Sequence, residues 1–315
     1  MIGTDLTFAK KLFLRSDVVA IPTETVYGLA ANAFDTRAVL KIYEVKNRPQ
    51  FNPLIIHSNS IERFESWGIQ MSDRLLKLAH KFSPGPLTYV VKKSDMIPDI
   101  ITAGHDTVAI RIPNHEMTLE LLKQLDFPLA APSANPSEYV SPTTAQHVED
   151  QLEKKIKYVL DGGPCTIGLE STIVDLSREK VRLLRLGAIT KEQIEECLGE
   201  EIEDLLQSDN ILAPGMMKRH YATSHKIIFE EFVELPSVTR RTRAIRFNKY
   251  SPLLPESQQI ILSKDSNLYE AASKLFAVLR ELDKMDVDFI IAEKFPNETI
   301  GRAINDRLSR AAHNE

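Results

Sequence analysis

The chain has 315 residues, 43% hydrophobic and 26% charged, a balance that excludes a mainly disordered protein. At ~150 residues per domain the length suggests about two domains. Its 39 basic and 44 acidic residues leave a net charge of −5, which argues against gripping nucleic acid by bulk electrostatics but leaves small anionic ligands open.

Up to about residue 212 the pattern alternates between amphipathic helices and short apolar strands. In chain order it predicts a helix at 5–15, a strand at 18–21, a helix at 36–45, a strand at 54–57, a helix at 72–82, and strands at 87–92 and 107–112. A helix at 116–125, a strand at 128–131, a helix at 143–154, strands at 158–161, 172–175 and 181–186, and a helix at 190–207 follow. Thr190 and Gln193 have capping-box spacing. Short β-branched runs between such helices predict an α/β domain on a twisted open sheet. Residues 209–225, DNILAPGMMKRHYATSH, break the pattern and read as a connector. Beyond it, strands at 226–229, 243–247, 258–262 and 288–292, with a helix at 267–284, predict a smaller Rossmann-like sheet. The expected organisation is thus 1–208, a connector over 209–225, and 226–315. Neither part carries a basic excess.

Cys165 and Cys197 are too few for a disulfide framework or a zinc site and read as buried thiols in a reducing compartment. No window approaches ~18 uninterrupted apolar residues. The opening MIGTDLTFAKKLFL has helical spacing at Leu6, Ala9, Leu12 and Phe13 instead of a signal-peptide pattern, so a cytoplasmic protein is expected.

Six stretches could carry chemistry. Pro22–Leu29 (PTETVYGL) sets hydroxyls and a carboxylate at a strand end, where α/β sheets bind ligands; the alternative is a turn whose threonines cap the next helix. In Lys46–His57 (KNRPQFNPLIIH), Pro49 and Pro53 stiffen a loop carrying a phosphate-binding Lys–Arg pair, unless it is a solvated turn. Ser83–Thr88 (SPGPLT) reads as a backbone-shaping turn. Arg111, inside the apolar strand of TVAIRIPNH, must find either a ligand carboxylate or a structural salt bridge, because unpaired burial is costly. APSANP and the later SPT offer small residues with neutral hydrogen bonds, or else plain turns. ESTIVD and LLRLG place Arg185 in a second apolar strand, and the connector adds Lys218, Arg219, His220 and Tyr221. A P-loop, H-E-x-x-H, paired C-x-x-C and G-x-S-x-G are all absent.

PTETVYGLAANA, KNRPQFNPLIIH, SPGPLT, VAIRIPNH, APSANPS, ESTIVD and LLRLGAI, in that order, closely resemble the YrdC family of threonylcarbamoyl-AMP synthases, and APGMMKRHYA with GRAINDRLSRAA resembles its longer, two-domain form. The resemblance implies that L-threonine, bicarbonate and ATP are converted to L-threonylcarbamoyl-AMP, pyrophosphate and water, with Mg2+ carried by ATP and no metal ligands from the protein. It implies the first step toward N6-threonylcarbamoyladenosine in tRNA, with a separate transferase receiving the product and with weak or absent direct tRNA binding. Threonine contacts are implied at Thr25, His57, Arg111, Ala131 and Ser171. ATP contacts are implied at Arg48, Asn52, Thr107, Ser133, Ser141, Arg185 and Tyr221, with Lys46 and Arg48 as the catalytic pair and Lys46 facing the phosphates. Tyr221 would make the connector a lid. The alternative is an RNA-binding module of the same fold without adenylate synthesis.

Overall fold

A computed structural model describes residues 1–152, 154–204, 221–233 and 238–312. It opens with β1 (Ile2–Gly3), α1 (Leu6–Phe13), β2 (Val19–Ile21), β3 (Gly28–Asn32), α2 (Thr36–Lys46) and β4 (Ile55–His57). Then come α3 (Ile61–Ser66), α4 (Asp73–Phe82), β5 (Leu87–Lys92), α5 (Asp99–Thr102), β6 (Thr107–Arg111), α6 (Glu116–Lys123) and β7 (Leu129–Ala130). The first sheet is completed by α7 (Ala145–Leu152), β8 (Val159–Leu160), β9 (Thr172–Asp175), β10 (Arg182–Arg185), α8 (Lys191–Leu198) and β11 (Glu203–Asp204). Its strand order is β1-β8-β2-β3-β7-β4-β6-β5-β9-β10-β11, with parallel and antiparallel neighbours mixed.

The caps follow from residue chemistry. Asp5, Asp35 and Ser72 each accept a backbone N–H at the start of α1, α2 and α4. Thr190 and Gln193 form the expected capping box, but α8 stops at Leu198 because Gly199 takes a left-handed conformation, so the helix expected to reach 207 is shorter. The turn after β2 also departs from expectation: the chain doubles back as β3, antiparallel to β2, and Thr23 caps no helix. α3, α5 and β1 were not legible as separate elements, being too short to show a period.

Alternation along the central strands sends side chains to two different places. Ile56, Ile110, Tyr89, Val91 and Val174 join the large apolar cluster packed under the helices. Ile55, Ala109, Val90 and Ile173 point to the other face and form a small cluster with Leu184. That second face is the floor of a trough.

The second sheet comprises β12 (Lys226–Phe229), β13 (Arg243–Arg246), β14 (Gln259–Ile261) and β15 (Phe289–Ala292), with α9 (Leu268–Asp283) and α10 (Gly301–Ala312). Its order is β12-β15-β13-β14, all parallel, as a Rossmann-like unit requires. Its apolar cluster is shared: Val26, Val140, Leu169 and Ala188 pack with Tyr221, Ile227, Leu275 and Phe276. Gly168, at φ +74°, permits the contact with α9, since a Cβ there would sit 2.6 Å from the Ser273 Cα. No helix among the described residues is long and apolar enough to cross a membrane.

Candidate active site

Four strand ends build one end of the trough. In the parallel pair β4–β6, His57 lies opposite Arg111. Ala131 follows β7, and its N–H donates to the Ile55 carbonyl at 3.0 Å. Ser171 immediately precedes β9, and its hydroxyl is 2.7 Å from that of Thr88 on β5. Thr25 belongs to the turn after β2, which Thr23 organises: the Thr23 hydroxyl donates to the Val26 carbonyl at 2.6 Å and contacts the Thr25 hydroxyl at 2.8 Å. The resulting pocket, a cavity of about 50 Å³, is lined by Thr25, Val26, Arg48, Ile55, His57, Arg111, Ala131, Pro132, Ser133, Glu170, Ser171, Arg185 and Tyr221. All five residues expected to hold threonine are among them.

Arg111 already has a partner. Its guanidinium Nη2 lies 2.8 Å from Glu24 Oε2, both side chains 5% exposed, while Nε donates to the Gly85 carbonyl. Of the two outcomes open to this arginine, the structure contains the salt bridge, and the same guanidinium still borders the pocket. Burial, reinforced by Arg111, holds the His57 imidazole down at about 3, so it is neutral at physiological pH. Among the described residues its buried Nδ1 has no hydrogen-bond partner.

Arg185 reaches the trough because β10 carries a bulge. Leu183 pairs with Val174, yet Arg185 pairs with Ile173, so one extra residue turns Arg185 onto the trough face. Its Nε and Nη2 donate to the Ser171 carbonyl and hydroxyl at 2.9 and 3.0 Å. Gly187 lets this strand exit, since a Cβ would stand 2.4 Å from the Thr172 N. Arg48 is buried by the left-handed Asn47 that ends α2, and it donates to the Asn52 and Pro53 carbonyls. Burial lowers both Arg48 and Arg185 to about 10, leaving each charged at neutral pH.

Four expected residues, Asn52, Thr107, Ser141 and Lys46, are outside the pocket's lining. Asn52 is buried beside Arg48. Thr107 starts β6, ~13 Å along the strand from Arg111 at 3.3 Å per residue, on the same face as Ala109 and Arg111. The fully buried Ser141 donates to Glu170 Oε1 at 2.6 Å. Lys46, expected to face phosphates, instead donates its ammonium to the carbonyls of Ser133, at 2.5 Å, and Asn135. Burial, then the nearby Arg48, holds its pKa well below the lysine range. It therefore pins the Ser133 loop. Lys218, Arg219 and His220, with the rest of 209–220, lie outside the described residues. Tyr221 is fully buried, stacked on Phe276 at 5.3 Å. Among the described residues no three His, Cys, Asp or Glu side chains cluster as a metal site.

Four residues had no assigned role in the sequence: Glu24, Thr88, Glu170 and Arg307. A signal existed for Glu24. A carboxylate in a strand-end turn and an arginine in an apolar strand are two buried charges that require one another.

Comparison with known proteins sets this geometry in context. Residues 11–187 match the Sua5_yciO_yrdC family model, described as telomere recombination, and residues 189–313 match the model "Threonylcarbamoyl-AMP synthase, C-terminal domain". The chain is 40% identical to a threonylcarbamoyl-AMP synthase of Pyrococcus abyssi over 94% of this chain and 90% of that one. It is 39% identical to one of Bacillus subtilis over 96% and 92%. The crystal structure of P. abyssi Sua5 complexed with L-threonine superposes with a TM-score of 0.90 at 38% identity, covering 98% of this chain and 94% of that one.

Proposed function

The chain belongs to the Sua5_yciO_yrdC family, in the form that carries the threonylcarbamoyl-AMP synthase C-terminal domain, and from that premise we propose how its trough works. The protein is a nucleotidyltransferase that converts L-threonine, bicarbonate and ATP to L-threonylcarbamoyl-AMP, pyrophosphate and water, the first step of a tRNA modification. Bicarbonate loses water to give carbon dioxide, which the threonine amine captures as a carbamate with release of a proton. A carbamate oxygen then attacks the α-phosphate, and pyrophosphate leaves. Such a transfer needs positioning and charge neutralisation more than a protein nucleophile.

Threonine binds where Thr25, His57, Arg111, Ala131 and Ser171 converge, and that convergence on one pocket is the observation that carries the reading. The Arg111 fork pairs the threonine carboxylate in competition with Glu24. Neutral His57 and the Ser171 and Thr25 hydroxyls hydrogen-bond the rest of the substrate without adding charge. ATP lies along the trough toward Arg48, Asn52 and Thr107, with Arg185, Ser133, Ser141 and Tyr221 around its phosphates and sugar. The ~13 Å from Arg111 to Thr107 along β6 suits a substrate spanning an amino acid and a nucleotide. Arg48 and Arg185 neutralise the triphosphate. Lys46 acts through the Ser133–Asn135 carbonyls it holds.

Magnesium enters as part of the Mg·ATP substrate. The donors around the trough are mainly cationic and hydroxyl, and Glu170 is engaged by Ser141 and Arg307, so the cation's ligands are phosphate oxygens and water. The division into 1–208, 209–225 and 226–315, a cytoplasmic setting, and hand-over of the product to a separate transferase without strong tRNA binding complete the proposal. Incubation with Mg·ATP, bicarbonate and labelled threonine tests it: a threonine-dependent adenylate with stoichiometric pyrophosphate is expected, and its absence rejects the activity.

A further inference from the structure

The second domain reaches into the first through two buried arginines that the proposed reaction does not use. Arg280 on α9 is 4% exposed. Its Nε donates to the Ser141 carbonyl at 3.2 Å, and its Nη2 donates to the Val140 carbonyl and to Gln151 Oε1 at 2.9 Å. Arg307 on α10 has no exposed surface. Its Nε donates to Glu170 Oε2 at 2.9 Å and its Nη2 to the Leu186 carbonyl at 2.8 Å, while Nη1 pairs with Asp306. The same guanidinium lies 5.2 Å from the centre of the Tyr221 ring.

Three of the groups that Arg307 holds lie beside Arg48, Ser133 and Arg185, the pocket residues assigned to ATP. Glu170 and Tyr221 line the pocket, and Leu186 directly follows Arg185. The other Glu170 oxygen accepts from the Ser141 hydroxyl at 2.6 Å, so one carboxylate links the C-terminal helix to that serine. The charge arithmetic explains why an arginine sits there. A carboxylate bordering a triphosphate site repels phosphate and competes for nearby guanidinium groups unless its charge is matched from behind. Arg307 supplies that match with a rigid fork and stacks on the aromatic ring beside it, two tasks a lysine performs poorly.

We propose that Arg307 is a positioning residue for the nucleotide: through Glu170, Ser141 and the Tyr221 ring, the C-terminal helix completes the ATP end of a site whose threonine-binding residues, Thr25, His57, Arg111, Ala131 and Ser171, all lie in the first domain. This rests on the placement of ATP proposed for the trough.

Steady-state kinetics of the full chain, following threonine-dependent pyrophosphate release, test it. Arg307→Met is expected to raise the KM for ATP about tenfold or more while the KM for threonine at saturating ATP barely changes, the scale expected when a buried charge loses its partner. Arg307→Lys should fall between Arg307→Met and the parent. Glu170→Gln combined with Arg307→Met should lose no more than Arg307→Met alone, because the carboxylate that Arg307 holds is then uncharged. An unchanged KM for ATP in folded Arg307→Met overturns the proposal. So do losses that multiply in the double variant, or a KM for threonine that rises in step. Should Arg307→Met fail to fold, Arg307→Lys and the double variant decide: a parental KM for ATP in both rejects the role. A parent protein that releases no threonine-dependent pyrophosphate would reject the activity itself, which is a different result.

Discussion

At the threonine end, two buried charges explain each other. Arg111 is tolerable in an apolar strand because Glu24 faces it, and Glu24 is tolerable in its turn because of Arg111. Arg111→Ala should therefore do two separable things. It should weaken threonine binding by about 2–5 kcal/mol with little effect on ATP. It should also strand Glu24, costing roughly 3–5 kcal/mol of stability. Adding Glu24→Gln should recover the stability and leave threonine binding weak. Calorimetry on both variants checks this, and threonine affinity that returns with stability would mean Arg111 serves only the fold. His57 makes a second prediction. Its imidazole stays neutral to about pH 3 when folded, while an unfolded histidine titrates near 6.5. Between those values the unfolded chain binds the extra proton, so the contribution is whole above about 6.5 and is lost as pH falls toward 3. Denaturant melts of His57→Gln across that window should show a shallower acid decline than the parent; superimposable curves would refute the burial.

At the scale of elements, the bulge in β10 and the exit at Gly187 decide where Arg185 points. Without the extra residue Arg185 would face Thr172, whose hydroxyl turns to the other side and bonds the Ile189 carbonyl. Gly187 runs against the start of β9 so closely that a Cβ collides with the backbone at Thr172 and Ser171. Gly187→Ala should lower stability by about 1–3 kcal/mol, as overpacking does. Because Ser171 and Arg185 move together, it should raise the KM for both substrates. A melting temperature and kinetics like the parent's would show that the strand can shift at no cost. The elements themselves were largely legible: β5, β9 and β12 match the expected bounds, and α2, α4 and α9 nearly so, because each pairs a clear period with a cap or a turn signal. The hairpin β2–β3 was not legible, since GLAAN carries neither alternation nor β-branching.

For the whole molecule, the expected division at 208 and 226 meets a shared core. Val26, Val140, Leu169 and Ala188 bury against the second domain, and Tyr221, expected on a loosely held lid, is stacked inside the same cluster. Truncation after Ile211 removes those partners together with Arg280 and Arg307. The truncated protein should bind an apolar-surface dye and lose threonine-dependent pyrophosphate release. Full activity with no new dye binding would reduce the second domain to an appendage.

What the sequence determined by itself was local and chemical. Period and capping residues set most elements, and prolines and glycines set the turns. Motifs in order marked the family and named thirteen site residues, nine of which line one pocket. These were legible because they depend on neighbours in the chain or on side-chain type. Pairings between distant residues were decided only in three dimensions. Glu24 meets Arg111 although β2 and β6 stand four places apart in the sheet and run in opposite directions, a meeting that only the course of the sheet in space decides. Lys46 turns into the Asn135 loop because α2 ends beneath it. Arg307 reaches Glu170 across 137 positions because α10 packs against the first domain. A buried charge states that it needs a partner, but strand order and helix packing choose which one.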